Sequence, residues 1–188
     1  MVRVEFDDVW VRLAADGERA RLVEPSESVF EERLRAVVLG EPDGERALAI
    51  WMGSADAFAL LRHHRGIDDG RPVPAGVMAA LLDVTGGRVD RVEITRVREN
   101  VCYADIHLEA DGCSATVDAR PSDALNLAVR VGAPIFVAEQ VMSELAFPVA
   151  EVPARLGQCQ HQGVDVLQPG RWRPLSPNLV RELRDAAD

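Results

Sequence analysis

The residues best equipped for chemistry lie in one short run, Asp118-Ala119-Arg120-Pro121-Ser122-Asp123, with Asp56 and Arg71 elsewhere in the chain. Carboxylates, guanidiniums and a hydroxyl at a helix start are the parts that phosphate-ester hydrolysis uses. That chemistry needs a positioned water, charge relief on the non-bridging oxygens and often a carboxylate-held metal. Arg120 and Arg71 could grip phosphate through planar, bidentate donors. Ser122 and the free amides behind Pro121 could receive a phosphate oxygen. Asp118, Asp123 and Asp56 could orient water. Asp118 and Asp123 could also hold Mg²⁺ or Mn²⁺, because hard cations prefer oxygen ligands. Ordinary helix capping explains the same run, with Pro at the first helical position and Ser or Asp in the first turn. Residue types and spacing leave both readings open.

A second constellation follows from a hairpin. Asp111-Gly112 is a two-residue turn that pairs Ala110 with Cys113 and thereby fixes every facing pair. Leu108 meets Ala115, Ile106 meets Val117 and Ala104 meets Ala119 on one apolar face, expected to be buried. The other face pairs Glu109 with Ser114, His107 with Thr116, Asp105 with Asp118, and Tyr103 with Arg120. Facing carboxylates, with Cβ atoms about 4.5–5.5 Å apart, repel unless a cation or proton lies between them. Arg120, diagonal to Asp105, is one such cation, and a divalent metal is another.

Other polar residues carry weaker signals. His63 and His64 sit late in a helix and point about 100° apart, which suits dipole compensation better than shared ligation. Cys159 and His161 form a lone C-x-H without a second pair. Trp51 ends an apolar strand and reads as core. Trp172, between Arg171 and Arg173, could stack on a base or anchor the tail.

Composition bounds these readings. The chain has 188 residues, with 21 basic and 31 acidic side chains and a net charge of −10. Every basic residue is Arg. The absence of Lys excludes Schiff-base catalysis, a pyridoxal-phosphate lysine and a P-loop lysine, and no organic cofactor is expected. The three Cys form no C-x-x-C pair and imply no disulfide framework. No apolar run reaches the ~18 residues of a membrane helix. Glu5, Asp7 and Asp8 also argue against a leader, so a cytoplasmic protein without a membrane partner is expected. The negative charge opposes indiscriminate nucleic-acid binding.

The elements that must position these residues can be read along the chain. Val2, Val4, Phe6 and then Val9, Val11, Leu13 alternate with one slip at Asp7-Asp8, which predicts a bulged strand. A polar loop follows over 14–33. Leu34 to Leu39 and Ala47 to Trp51 form a hairpin around Pro42-Asp43-Gly44. Ser54 caps a helix running to about Arg65, and Pro74 begins a second helix. Strands are expected at Val89–Val97, Val101–Glu109 and Cys113–Ala119. A helix follows at Pro121–Val131, closed by Gly132, and then a short strand at Ile135–Val137 and a helix at Glu139–Ala146. Tight turns make antiparallel neighbours. The expected class is α+β, with a mixed, largely antiparallel sheet and three to four helices. A Pro-rich extension ends in an amphipathic helix from Ser176. The domain is placed at 1–146 and the extension at 147–188, the latter packing on the domain or on a second subunit through Trp172, Leu175, Leu179, Val180 and Leu183. The excess of acid lies ahead of the boundary.

The run from Asp118 to Ala124, the helix after it and Gly132-Ala133-Pro134-Ile135-Phe136-Val137 resemble the bifunctional nuclease domain family. Ala49-Ile50-Trp51-Met52-Gly53 and Arg71-Pro72 belong to the same likeness, which runs from about Leu34 to Met142. The resemblance implies an α+β fold and cleavage of both DNA and RNA. On that scaffold the residue chemistry above makes Asp118, Arg120, Asp123 and Asp56 the catalytic candidates, and Arg71 and Ser122 the substrate-binding ones. It also implies a nucleic-acid partner, and a homo-oligomer is expected. The chain departs from the family pattern in three places. Relatives usually carry Glu at the position of Asp56, Thr-His-Asp at Pro74-Ala75-Gly76, and Asp-Gly at Glu99-Asn100. Weak, metal-assisted cleavage is therefore the leading expectation. A non-catalytic regulatory or interaction protein on the same scaffold is the alternative, and an anion-binding module using Arg71 and Arg120 is a third. An Arg-lined groove would favour the first, and an exposed apolar patch the second.

Overall fold

A computed structural model of the chain describes residues 1–14, 34–67, 70–99, 101–158 and 170–174. Its strands are β1 (Val2–Ala14), β2 (Leu34–Gly40), β3 (Arg46–Gly53), β4 (Gly87–Arg98), β5 (Val101–Ala110), β6 (Cys113–Ala119), β7 (Ile135–Val137), β8 (Phe147–Pro148) and β9 (Gly170–Pro174). Its helices are α1 (Ser54–His64), α2 (Pro74–Val84), α3 (Pro121–Val131), α4 (Glu139–Leu145) and α5 (Val152–Gln158), with a 3₁₀ turn at Val149–Glu151. One sheet runs β6-β5-β4-β7-β1-β2-β3-β8, and β9 pairs with β1. Among the described residues, only β4 and β7 pair in parallel. The class is α+β with a mixed, largely antiparallel sheet.

The slip at Asp7-Asp8 is a bulge, with the β1–β2 register shifting between Phe6 and Asp8. β2 and β3 read as near-continuous apolar runs because both their faces are covered. Val37, Leu39, Leu48, Ile50 and Met52 face the main core beneath α1 and α3. Ala36, Val38 and Ala47 face Phe147, Val152 and Leu156 on the opposite side, with Trp51 packed alongside. Residues after 146 thus supply β8 and α5, which cover the outer face at that end of the sheet.

α3 buries Ala124, Leu125, Leu127 and Ala128 against Val92, Ile94, Ala104 and Ile106. Its C-cap, Gly132, has φ 69°, a left-handed conformation that a side chain resists. At the hairpin, Asp111 and Gly112 both have positive φ, as a type I′ turn requires. The β5–β6 register pairs Ala110 with Cys113 and Asp105 with Asp118, as expected.

Two expectations need correction. Ala104 and Ile106 are buried and Leu108 partly so, but Ala115 and Val117 are exposed. β6 is the outermost strand, while α3 packs over β4 and β5, so the apolar face loses its cover at the edge. The first helix begins at Ser54 itself, with Gly53 at the cap position. Cys159, His161, the 15–33 segment and the helix expected from Ser176 lie outside the described residues. No helix among the described residues is long and apolar enough to cross a membrane.

Candidate functional site

α1 and α3 pack side by side, and their first turns lie at one end. Arg120, the N-cap residue of α3, folds its guanidinium onto Asp123, with Nε donating to Oδ2 at 2.7 Å and Nη2 to Oδ1 at 2.8 Å. The amides of Asp123 and Ala124 donate back to the Arg120 carbonyl. The hydrogen bond and charge of Asp123 raise the Arg120 pKa, and the Asp56 charge adds to the effect. Asn126 ties the two helices together, its Nδ2 donating to the carbonyls of Asp56 at 3.0 Å and Ser122 at 2.9 Å. Asp56, Arg120 and Asp123 are therefore one cluster. The sequence reading missed Asn126, although a buried polar residue four positions after Ser122 on an apolar helix face is a usable signal.

Asp118 lies two residues before this cluster, on the face of β6 that α3 does not cover. It opposes Asp105, which in turn opposes Glu93 on β4, so three acids form a row across three strands. Two register shifts in β4 hid Glu93 from the sequence reading. The cation beside Asp118 is Arg96, at 3.8 Å, whose guanidinium also stacks 4.3 Å over the Tyr103 ring. The expectation that Arg120 serves this face is corrected, because its fork is turned onto Asp123. Glu93 accepts from Arg91 Nε at 2.6 Å and lies 3.2 Å from His107 Nε2. Burial pushes its carboxyl up, but Arg91 and His107 outweigh that and hold it below the usual range.

Other expected residues fall elsewhere. Ser122 is buried in the first turn of α3. Pro121 has no amide hydrogen and the next amides serve Arg120, so few donors remain at that helix start. Arg71 lines a cleft with His63 and Arg130 at the far ends of α1 and α3. Arg130 stands about 15 Å along α3 from Arg120, given 1.5 Å per residue, so this cleft is separate from the Arg120–Asp123 pair. His63 and His64 diverge, with His63 Nδ1 at 3.4 Å from Arg130 Nη1 and His64 edge-on to Phe6.

The carboxylates do not assemble a ready cation cage. Both oxygens of Asp123 are engaged by Arg120, and Asp118 faces Arg96. Among the described residues, no three His, Cys, Asp or Glu side chains stand close enough to hold a metal ion. The site's own chemistry is an exposed guanidinium held by one acid, with two further carboxylates nearby.

The sequence profile of the bifunctional nuclease domain matches residues 37–150, from β2 through the turn after β8, and so includes every residue of this cluster. Uncharacterized proteins from two strains of Mycobacterium tuberculosis are each 33% identical over 108 residues, 57% of this chain and 64% of theirs. Bifunctional nuclease 2 of Oryza sativa subsp. japonica is 36% identical over 117 residues, 60% of this chain and 34% of its own length. The match therefore spans less than two thirds of each of these relatives. With the profile running through most of the sheet and both site helices, the chain belongs to the bifunctional nuclease domain family.

Proposed function

We propose that this chain is a nuclease that hydrolyses phosphodiester bonds in DNA and RNA, slowly. The observation that carries the reading is the family match over residues 37–150, a span that contains Asp56, Asp118, Arg120 and Asp123. The rice relative's name points the same way. In this reading Arg120 is pre-oriented by Asp123 and presents its remaining N–H donors to a non-bridging phosphate oxygen. Asp118, with 74% of its side chain exposed, accepts a proton from the attacking water. The net charge of −10 weakens encounter with a polyanion, most of all at low salt.

The direct test is digestion of end-labelled single-stranded DNA and RNA with Mg²⁺, with Mn²⁺ and with a chelator. Slow loss of both substrates that follows the protein through size-exclusion fractions is expected. Intact substrate under every metal and salt condition would contradict it.

One feature favours a second reading, a non-catalytic interaction protein. α2 carries Val77, Leu81 and Val84 at helical spacing, and these are 47%, 62% and 85% exposed. Such a stripe suits a partner helix or a second copy of this chain. If so, Leu81→Glu should reduce the size of the assembly in solution by light scattering.

A further inference from the structure

We propose that the cleft between the C-terminal ends of α1 and α3 binds a phosphate monoester. The cleft has a volume of about 290 Å³ and is lined by His63, Ile67, Arg71, Pro72 and Arg130. That suits a phosphate with little more than the start of a sugar, since whole drug-sized ligands occupy roughly 300–1,000 Å³.

The two cations in the cleft differ from several others in this chain. Arg46, Arg91 and Arg120 each hold a carboxylate within 2.7 Å. Among the described residues, neither Arg71 nor Arg130 has a carboxylate partner within ion-pair distance, although the chain as a whole is strongly acidic. Asp68 and Asp69 lie outside the described residues. Arg130 is laid flat on Gly76 of α2, where a Cβ would stand 3.0 Å from its Cζ and 3.1 Å from its Nε. Its Nη1 lies 3.4 Å from His63 Nδ1. The C-terminal ends of the two helices favour cations here.

Two guanidiniums around one small cleft match a monoester. Such a group carries close to two charges at neutral pH and three terminal oxygens, whereas a diester within a strand carries one charge. The phosphate could terminate a nucleic-acid strand or belong to a free nucleotide. Because the cleft lies about 15 Å along α3 from Arg120, its occupancy does not depend on cleavage at the other end, and either reading can fail alone.

The test uses the full chain in the presence of a chelator, which keeps strands intact. Inorganic phosphate is titrated by calorimetry. Oligonucleotides with 5′-phosphate, 3′-phosphate or hydroxyl ends are followed by fluorescence anisotropy. Saturable phosphate binding is expected, weakened about tenfold or more in Arg71→Gln and Arg130→Gln by loss of charge-assisted hydrogen bonds. Gly76→Ala should weaken it too, since the added methyl displaces the Arg130 guanidinium. Arg71 is exposed, so Arg71→Gln should melt with the wild type even if Arg130→Gln does not fold. Tighter binding of a phosphorylated end identifies a strand terminus, and binding of phosphate with no preference among strands identifies a free anion. No saturable phosphate binding, or equal binding by wild type, Arg71→Gln and Gly76→Ala, would overturn the proposal.

Discussion

Asp105 and Asp118 stand directly opposite each other across β5 and β6, and Glu93 continues the row on β4. Like charges at facing positions destabilise an antiparallel pair, and Arg96 at 3.8 Å from Asp118 is the nearest cation. The Asp105–Asp118 pair is thus locally unfavourable, whereas Arg91 and His107 neutralise Glu93 at the other end of the row.

Asp105→Asn should therefore stabilise the chain, by roughly 0.2–1 kcal/mol. The gain should shrink in high salt, as screening weakens the repulsion that the substitution removes. Thermal unfolding of both proteins at low and high ionic strength checks this. A loss of stability at low salt would mean that Asp105 is held by a cation.

How far this face was legible depends on the reach of each interaction. The Asp105–Asp118 pair could be read because a two-residue turn fixes the register locally. Glu93 could not, because bulges at Val89/Arg91 and Ile94/Arg96 break the alternation of β4. Exposure of Ala115 and Val117 depends on which strand ends the sheet, a property of non-local pairing. The meeting of Asp56 with Arg120, and of His63 with Arg130, needs α1 and α3 side by side, although the chain separates them by more than fifty residues. The helices and hairpins themselves were legible, because Pro starts, Gly stops and apolar periodicity act within a few residues.

Truncation after Ala146 should cost several kcal/mol. It removes Phe147, Val152 and Leu156, which are 9%, 3% and 0% exposed, and uncovers Ala36, Val38 and Ala47. Burial of each large apolar side chain is worth about 1.5–3 kcal/mol. A melting curve unchanged by the cut would contradict the packing of Phe147, Val152 and Leu156 on the sheet.

The cysteines should differ in reactivity. Burial, with the Glu144 charge adding, pushes the Cys102 thiol up to about 11, while Cys113 is exposed. Since the thiolate is the reactive form, iodoacetamide at pH 8 should label Cys113 well before Cys102. Peptide mass spectrometry over time reads both sites, and equal rates would contradict the burial of Cys102.

Glu93 should carry a pH-dependent share of stability. Its carboxyl is held below its ordinary value of 4.5 in the folded chain. Such a group contributes stability above its unfolded pKa and loses it as pH falls through the folded one. Glu93→Gln should cost about 1 kcal/mol at pH 7 through the weakened Arg91 hydrogen bond. The gap from wild type should close below pH 4.5. Chemical denaturation across pH reads this directly, and a gap of constant size would show that the charge of Glu93 contributes nothing.

The central claim is that Asp118 and Arg120 act on a phosphodiester, and single-turnover cleavage of single-stranded RNA tests it most directly. Wild type is compared with Asp118→Asn and Arg120→Ala, all with matched unfolding curves. The account predicts measurable wild-type cleavage and at least a hundredfold loss in each variant, in line with removal of a general base or a charge-stabilising donor. Equal rates in all three proteins would place any activity outside this site and contradict it.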